Sequence, residues 1–401
     1  MKSRAQRTAF VTGATGFVGS FLVDRLLHDG WNVVALVRGG DAMERVCAAL
    51  KNVRGLSGAT FRPDPGLRVL SGNVRDPFLG LDENAAMTLA GEIDAVWHCA
   101  ANFKSDAAGE NPFSVNVAGT QHLLAFTARC NRVRPVPFFY VSTAFAADCR
   151  DGLAREEASA PGGGARNDYE SSKRAAERLV LDWQSEHAFP AAVFRPSIIL
   201  GHAHTGRAAG FAAYYDFLRS LCRFAQIRRS HARRERPDAA LRVRTRPDLR
   251  VNLVTIDFVI DAMCALAGAA RGDDSIFNIV NEVPVAAGVA IDVMCRSIGL
   301  TGVELADEAA FATTPMTRSE RLFHSMIGFE RPYLEQEVLF DNSRFRRIVP
   351  ANVLPAPCID APLLGRINRG YLEHCEREAG ETLASQRILP LTSGSLAAAA
   401  N

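Results

Sequence analysis

A chain of 401 residues with 48% hydrophobic content can bury one large α/β core and a smaller lobe, and reads as a soluble, enzyme-sized protein. A formal net charge of +2 excludes a global basic field, so no nucleic-acid partner is expected. Nine cysteines stand singly, with no Cys-x-x-Cys pair and no histidine at zinc spacing, so no metal is expected, and reduced thiols in a cytoplasmic protein are.

Along the chain, short β-branched runs alternate with amphipathic stretches, the pattern of a parallel sheet with helices on both faces. Strands are expected at residues 9–11, 33–37, 67–70, 95–98, 136–142, 191–200 and 275–280. Helices are expected at 20–28, 112–130, 169–186 and 257–268. Residues 201–250 break this rhythm with an aromatic helix at 211–224 and an arginine-rich segment. The expected organisation is a nucleotide-binding core over 1–200, completed by about 251–283, and a smaller, mostly helical lobe from 201–250 and 284–380. Residues 381–401 are expected to form a disordered tail. No apolar run approaches the roughly 20 residues of a membrane span, and no leader pattern precedes the first strand, so no integral membrane association is expected.

The stretch Gly13-Ala14-Thr15-Gly16-Phe17-Val18-Gly19 falls where the first strand must turn into the first helix. Glycines there permit the tight turn, bring backbone N–H groups close to a pyrophosphate and let helix pack on strand, while the helix N-terminus favours the anion. Together with the alternating pattern this predicts a Rossmann-type doubly wound parallel sheet. Strand two ends in Arg38, with no acid until Asp41. A cation at that position suits the 2′-phosphate of NADP, whereas an acid would suit the ribose hydroxyl of NAD, so NADP is the expected cofactor.

Tyr169 and Lys173 lie four residues apart, on one face of one helix. A protonated lysine beside a phenol lowers its pKa toward the range of an acid–base catalyst. Ser142 and Thr143 end strand five, at the sheet edge where ligands meet open α/β folds, and a hydroxyl there can donate to a carbonyl oxygen gaining charge.

The set Thr-Gly-x-x-Gly-Phe-x-Gly (12–19), "HCAA" (98–101), "NVAGT" (116–120), "YVSTAF" (140–145), Tyr169-x-x-x-Lys173 and "RPSIILG" (195–201) resembles the extended short-chain dehydrogenases/reductases over about residues 8–282. Within that superfamily, "HCAANFKSD", "YVSTAFA" and "VNLVTIDFVIDAM" are more similar to the fatty acyl-CoA reductase and carrier-protein thioester-reductase branch than to the sugar-nucleotide epimerases. The resemblance implies a catalytic triad of Thr143, Tyr169 and Lys173. It implies a cofactor site lined by Gly13, Thr15, Gly16, Phe17, Val18, Arg38, Ala100, Ala101, Pro196, Ser197, Ile198 and Ile199, with Tyr169 and Lys173 also touching the cofactor. Where the family has Gly-Asp-Val/Leu near the adenine, this chain has Gly72, Asn73 and Val74, and an amide can still hydrogen-bond adenine.

The implied activity is NADPH-dependent reduction of an acyl thioester, carried on coenzyme A or an acyl carrier protein, to an aldehyde, with a second reduction to the alcohol left open. The alternative is NAD(P)-dependent oxidation or reduction of a free alcohol or ketone, of hydroxysteroid, flavonoid or sugar-nucleotide type. By the same analogy a homodimer is an open expectation. Two features bear on substrate. Residues 228–250 hold nine arginines that could receive phosphates or an acidic carrier, and are otherwise a solvated loop. Aromatics at 211, 214, 215, 217 and 224 either wall an acyl tunnel or fill ordinary core.

Overall fold

The computed structural model describes residues 6–55, 62–103, 110–150, 152–160, 164–231, 240–268 and 275–387. Seven parallel strands form the central sheet: β1 (Thr8–Thr12), β2 (Asn32–Val37), β3 (Leu67–Ser71), β4 (Ala95–His98), β5 (Phe138–Val141), β6 (Ala191–Pro196) and β7 (Ile276–Ile279). Their spatial order is β3-β2-β1-β4-β5-β6-β7. The order reverses between β1 and β4, so a crevice opens beyond their carboxyl ends, where open α/β sheets bind ligands.

Successive residues of β1 feed opposite cores. Ala9 and Val11 pack with α1 (Phe17–His28) and α2 (Ala42–Arg54), while Phe10 packs with α3 (Glu83–Ala90), α4 (Ala118–Asn131) and α5 (Asp168–His187). Both faces are covered, and the strand accordingly reads as a continuous apolar run. The chain then leaves through α6 (Tyr214–His231) and returns with α7 (Ile256–Ala267) to the β1 side that α1 covers.

A third core lies beside the sheet. It joins α6 to α8 (Ala287–Ile298) and the start of α13 (Ala361–Arg387), with Leu241–Arg244 paired in parallel to Val303–Ala306. The short helices α9 (Glu308–Thr313), α10 (Arg318–Met326), α11 (Arg331–Glu335) and α12 (Ser343–Ile348) link these pieces. The last helix extends to Arg387, into the stretch expected as a tail, and residues 388–401 lie outside the described residues.

Three elements differ from their expected form. The strand expected at 191–200 is two: β6 ends at Pro196, and Ile198–Leu200 pairs instead with Leu253–Thr255. Proline has no N–H to continue the first ladder, and Ser197 N takes up the Ile279 carbonyl at 3.2 Å as the chain changes partner. The aromatic helix starts at Tyr214, because Ala213 holds φ at 50°, outside helical space. The helix expected at 112–130 opens with a π-helical turn, Phe113–Val117, before α4. Such turns are rare and often sit beside functional sites.

Candidate active site

The glycine loop is shaped by close approach. Gly13 has φ 73°, and a Cβ there would lie 2.6 Å from Ala100 N, while one on Gly19 would lie 2.1 Å from the Gly13 carbonyl. A side chain at either position would push the loop off the end of β4 or α1 off the loop. Gly16 caps α1 with extended backbone, and no acidic side chain occupies the first helical turn. The positive helix end is therefore left for an external anion, and the cradle fits a dinucleotide pyrophosphate.

Beneath the loop, His98 Nδ1 lies 2.8 Å from Thr12 Oγ1 and Nε2 3.0 Å from Thr120 Oγ1. Thr120 spends its proton on the Asn116 carbonyl at 2.5 Å, so Nε2 carries the His98 hydrogen and Nδ1 accepts from Thr12. Burial pulls His98 down to about 3, and the neutral ring bolts β1 to β4. Asn116 sits in the π-helical turn, where its amide donates to the Asn102 carbonyl (3.0 Å) and to Ser172 Oγ (2.9 Å). The crevice loop is thereby tied to α5.

Thr143 lies two residues past the end of β5. Its Oγ1 accepts from Phe145 N at 3.4 Å, which leaves its proton free to be donated. The neighbouring Ser142 is committed elsewhere, since its hydroxyl donates to Glu177. Glu177 in turn holds the fully buried Arg195 through Nε at 3.0 Å and Nη2 at 2.5 Å, and Arg195 Nη1 reaches the Arg155 and Glu157 carbonyls. Of the two hydroxyls at the strand end, Thr143 is the one available to a substrate.

Lys173, 1% exposed, donates from Nζ to the Val141 carbonyl at 2.6 Å and lies 4.2 Å from the Tyr140 ring. Burial pulls the ammonium down to about 7. The Tyr169 ring stacks on Phe103 with centroids 4.4 Å apart and an interplanar angle of 25°. Burial pushes the Tyr169 phenol up, with the Glu170 carboxylate adding to it. The depression expected from Lys173 does not appear: removal of the phenolate from water, with Glu170 adding to it, moves Tyr169, while Lys173 Nζ is bonded to a backbone oxygen.

A cavity of about 430 Å³ brings together Gly16, Phe17, Val18 and Ala101 on the loop side with Thr143, Tyr169 and Lys173. It runs on past Pro196, Ser197, Ile198 and Ile199 into the third core. There Phe211, Tyr214 and Phe217 line one side, and Ala287, Ala290, Ile291 and Met294 present one stripe of α8 on the other. Tyr215 and Phe224 serve as core, Tyr215 accepting from Gly201 N at 2.7 Å.

Gly13, Thr15, Arg38, Asn73, Val74 and Ala100 do not line this cavity. Arg38 directly follows β2, and Glu110 Oε2 bridges it (2.6 Å) to Arg75 (3.3 Å), while Arg45 donates to the Arg38 carbonyl at 2.8 Å. This cluster of cations is larger than the one arginine that the sequence pointed to. Asn73 Oδ1 accepts from Arg75 N at 3.1 Å, and Val74 is buried, its side chain 2.9 Å from where a Gly119 Cβ would be.

The arginines of 228–250 that lie among the described residues are used inside the lobe. Arg228 and Arg229 donate to the Thr301 and Ile298 carbonyls at 2.9 Å, beyond and at the C-terminal end of α8. Arg242 grips Glu320 at 2.7 and 2.9 Å and reaches three carbonyls of residues 310–315, and Arg250 pairs with Glu337. Residues 232–239 lie outside the described residues.

The strand order and glycine cradle, with the family match that follows, make this an enzyme of the extended short-chain dehydrogenase/reductase class with a nicotinamide cofactor, and Thr143, Tyr169 and Lys173 line its crevice. The pattern of the male sterility protein family matches residues 11–263, and the chain belongs to that family. It is 32% identical over 223 residues to a carboxylic acid reductase of Segniliparus rugosus, a match covering 50% of this chain and 18% of that protein. The terminal R domain from the myxalamid PKS-NRPS pathway superposes with TM-score 0.72 and 23% identity, covering 94% of this chain and 93% of that one. A thiolation-reductase di-domain from an archaeal non-ribosomal peptide synthetase superposes with TM-score 0.68 and 17% identity, covering 92% and 76%.

Proposed function

We propose that this protein reduces an acyl thioester to an aldehyde with NADPH, the acyl group arriving on a carrier protein or coenzyme A. One observation carries the reading: a single cavity joins the glycine loop to an apolar cleft in the lobe, with Thr143 and Tyr169 at the junction. A carbonyl held at the junction has cofactor on one side and room for an acyl chain on the other. The carboxylic acid reductase relative and the thiolation-reductase likeness support a thioester.

The residues that would hold the cofactor are Gly13, Thr15, Gly16, Phe17 and Val18 at the pyrophosphate, and Arg38 with Arg75 at a 2′-phosphate. Asn73 and Val74 would lie at the adenine, and Ala100, Ala101 and residues 196–199 around the nicotinamide. When bound, the reduced nicotinamide supplies hydride to the thioester carbon. Thr143 and Tyr169 donate hydrogen bonds to the carbonyl oxygen as it gains charge, and Tyr169 gives it a proton. Lys173 stabilises the tyrosinate that results. The hemithioacetal then breaks its C–S bond as its hydroxyl proton returns to Tyr169, and aldehyde is released with a thiolate that takes up one proton from solvent.

The test offers purified protein a fatty acyl-CoA, the same acyl group on a carrier protein, and the matching aldehyde, while reduced cofactor and free thiol are followed together. Cofactor oxidation with equal thiol release establishes thioester reduction to aldehyde, and two cofactors per thiol reveal the alcohol. Oxidation by the aldehyde alone overturns the reading in favour of a carbonyl reductase.

A further inference from the structure

Tyr333 belongs to α11, in the lobe, yet its side chain reaches the N-terminus of α5 in the core. Its hydroxyl donates to Glu170 Oε1 at 2.7 Å and accepts from Asn167 Nδ2 at 3.0 Å. Glu170 is 1% exposed and directly follows Tyr169. Its carboxylate also accepts from Arg166 N at 2.8 Å and Arg166 Nη1 at 3.1 Å. Asn167 does double duty, since its Oδ1 caps α5 by accepting from Glu170 N at 2.9 Å. The Tyr333 ring stands edge-on to Phe145, two residues past Thr143, with centroids 4.9 Å apart and an angle of 83°. The Arg166 guanidinium lies 5.2 Å from the Tyr333 ring centre and 5.5 Å from that of Phe145. Tyr333, Phe145, Thr143 and Tyr169 all line the cavity.

We propose that Tyr333 is a positioning residue, a clasp by which the lobe fixes the first turn of α5 and the turn after Thr143 relative to the acyl cleft. First helical turns fray unless their N–H groups and neighbours are satisfied, and Tyr169 sits in that turn. A buried carboxylate needs several donors, and Tyr333 supplies from the lobe one of those that Glu170 accepts, the others coming from Arg166. The distance between the two oxygen-binding hydroxyls is thereby set from the substrate side. The proposal rests on Thr143 and Tyr169 holding a carbonyl oxygen; it holds equally for a thioester or a free aldehyde.

The test compares wild type, Tyr333→Phe and Tyr333→Leu in the full chain, on whichever carbonyl substrate the wild type reduces. An aldehyde-only wild type thus removes the thioester reading and leaves this comparison intact. Tyr333→Phe is expected to lower kcat about tenfold, with KM for reduced cofactor and cofactor affinity by nicotinamide fluorescence unchanged, and Tyr333→Leu to lower kcat further. An unchanged kcat in Tyr333→Phe overturns the proposal. So does a loss of kcat accompanied by equal loss of cofactor affinity, which marks general loosening of the fold.

Discussion

Tyr169 and Lys173 can be tested one atom at a time. Tyr169→Phe should slow turnover by roughly 10²–10⁴-fold while reduced cofactor still binds, as stopped-flow and fluorescence titration would register. Lys173 is charged below about pH 7 and discharged above it, because burial holds the ammonium down. If the ammonium is the working form, kcat falls as pH rises through about 7, and that limb is absent from Lys173→Arg, whose cation persists. Arg38→Ala should raise KM for NADPH by about tenfold or more and leave KM for NADH near its starting value, the scale of a lost charged hydrogen bond. Equal effects on both cofactors would remove the 2′-phosphate assignment. At this scale the sequence was most readable where spacing is local: Tyr169 and Lys173 share a helix face, and the glycines mark one turn. It was silent on Phe103, stacked on Tyr169, and on Arg75, because both come to the site through loops whose path depends on tertiary packing.

Among elements, α5 carries the most. Positions 169, 173 and 177 form one stripe at helical spacing toward β5 and β6, while Ala176, Val180 and Trp183 fill the core. Glu177→Ala strands the fully buried Arg195 without its carboxylate and should cost about 3–5 kcal/mol in denaturant unfolding. Replacing both partners by methionine should cost less, since no lone charge is left inside. The helix itself was plain from its periodicity, and its ion pair was not: Arg195 looks from sequence like part of a strand-end motif. Tyr333 is further removed, 163 residues from Glu170 along the chain, with no pattern that predicts the meeting. The split of residues 191–200 had a signal at Pro196, which a central strand does not accommodate mid-run.

On the scale of the whole molecule, Glu156 ties distant segments together. Its buried carboxylate accepts from Asn278 N at 2.8 Å in β7 and from Arg344 N at 2.6 Å and Phe345 N at 3.2 Å in α12. Burial pushes it up to about 7 from an ordinary 4.5, against those hydrogen bonds. The folded state therefore binds this proton more tightly than the unfolded chain. The stabilisation it brings is complete below about 4.5 and is lost as pH rises through about 7. The Tm of wild type relative to Glu156→Gln should fall across that window; a difference independent of pH would refute the assignment.

The last strand of the sheet has a kinetic meaning. β7 joins the edge of β6 only after the polypeptide has run through α6, the Leu241–Arg244 strand and α7. During synthesis β6 therefore waits with an open edge, and the nucleotide-binding half cannot close on the ribosome before much of its neighbour has emerged. A fragment ending at residue 268 should aggregate rather than survive as a small cofactor-binding unit. The core is thus born only after one wall of the cleft, α6, has already left the ribosome.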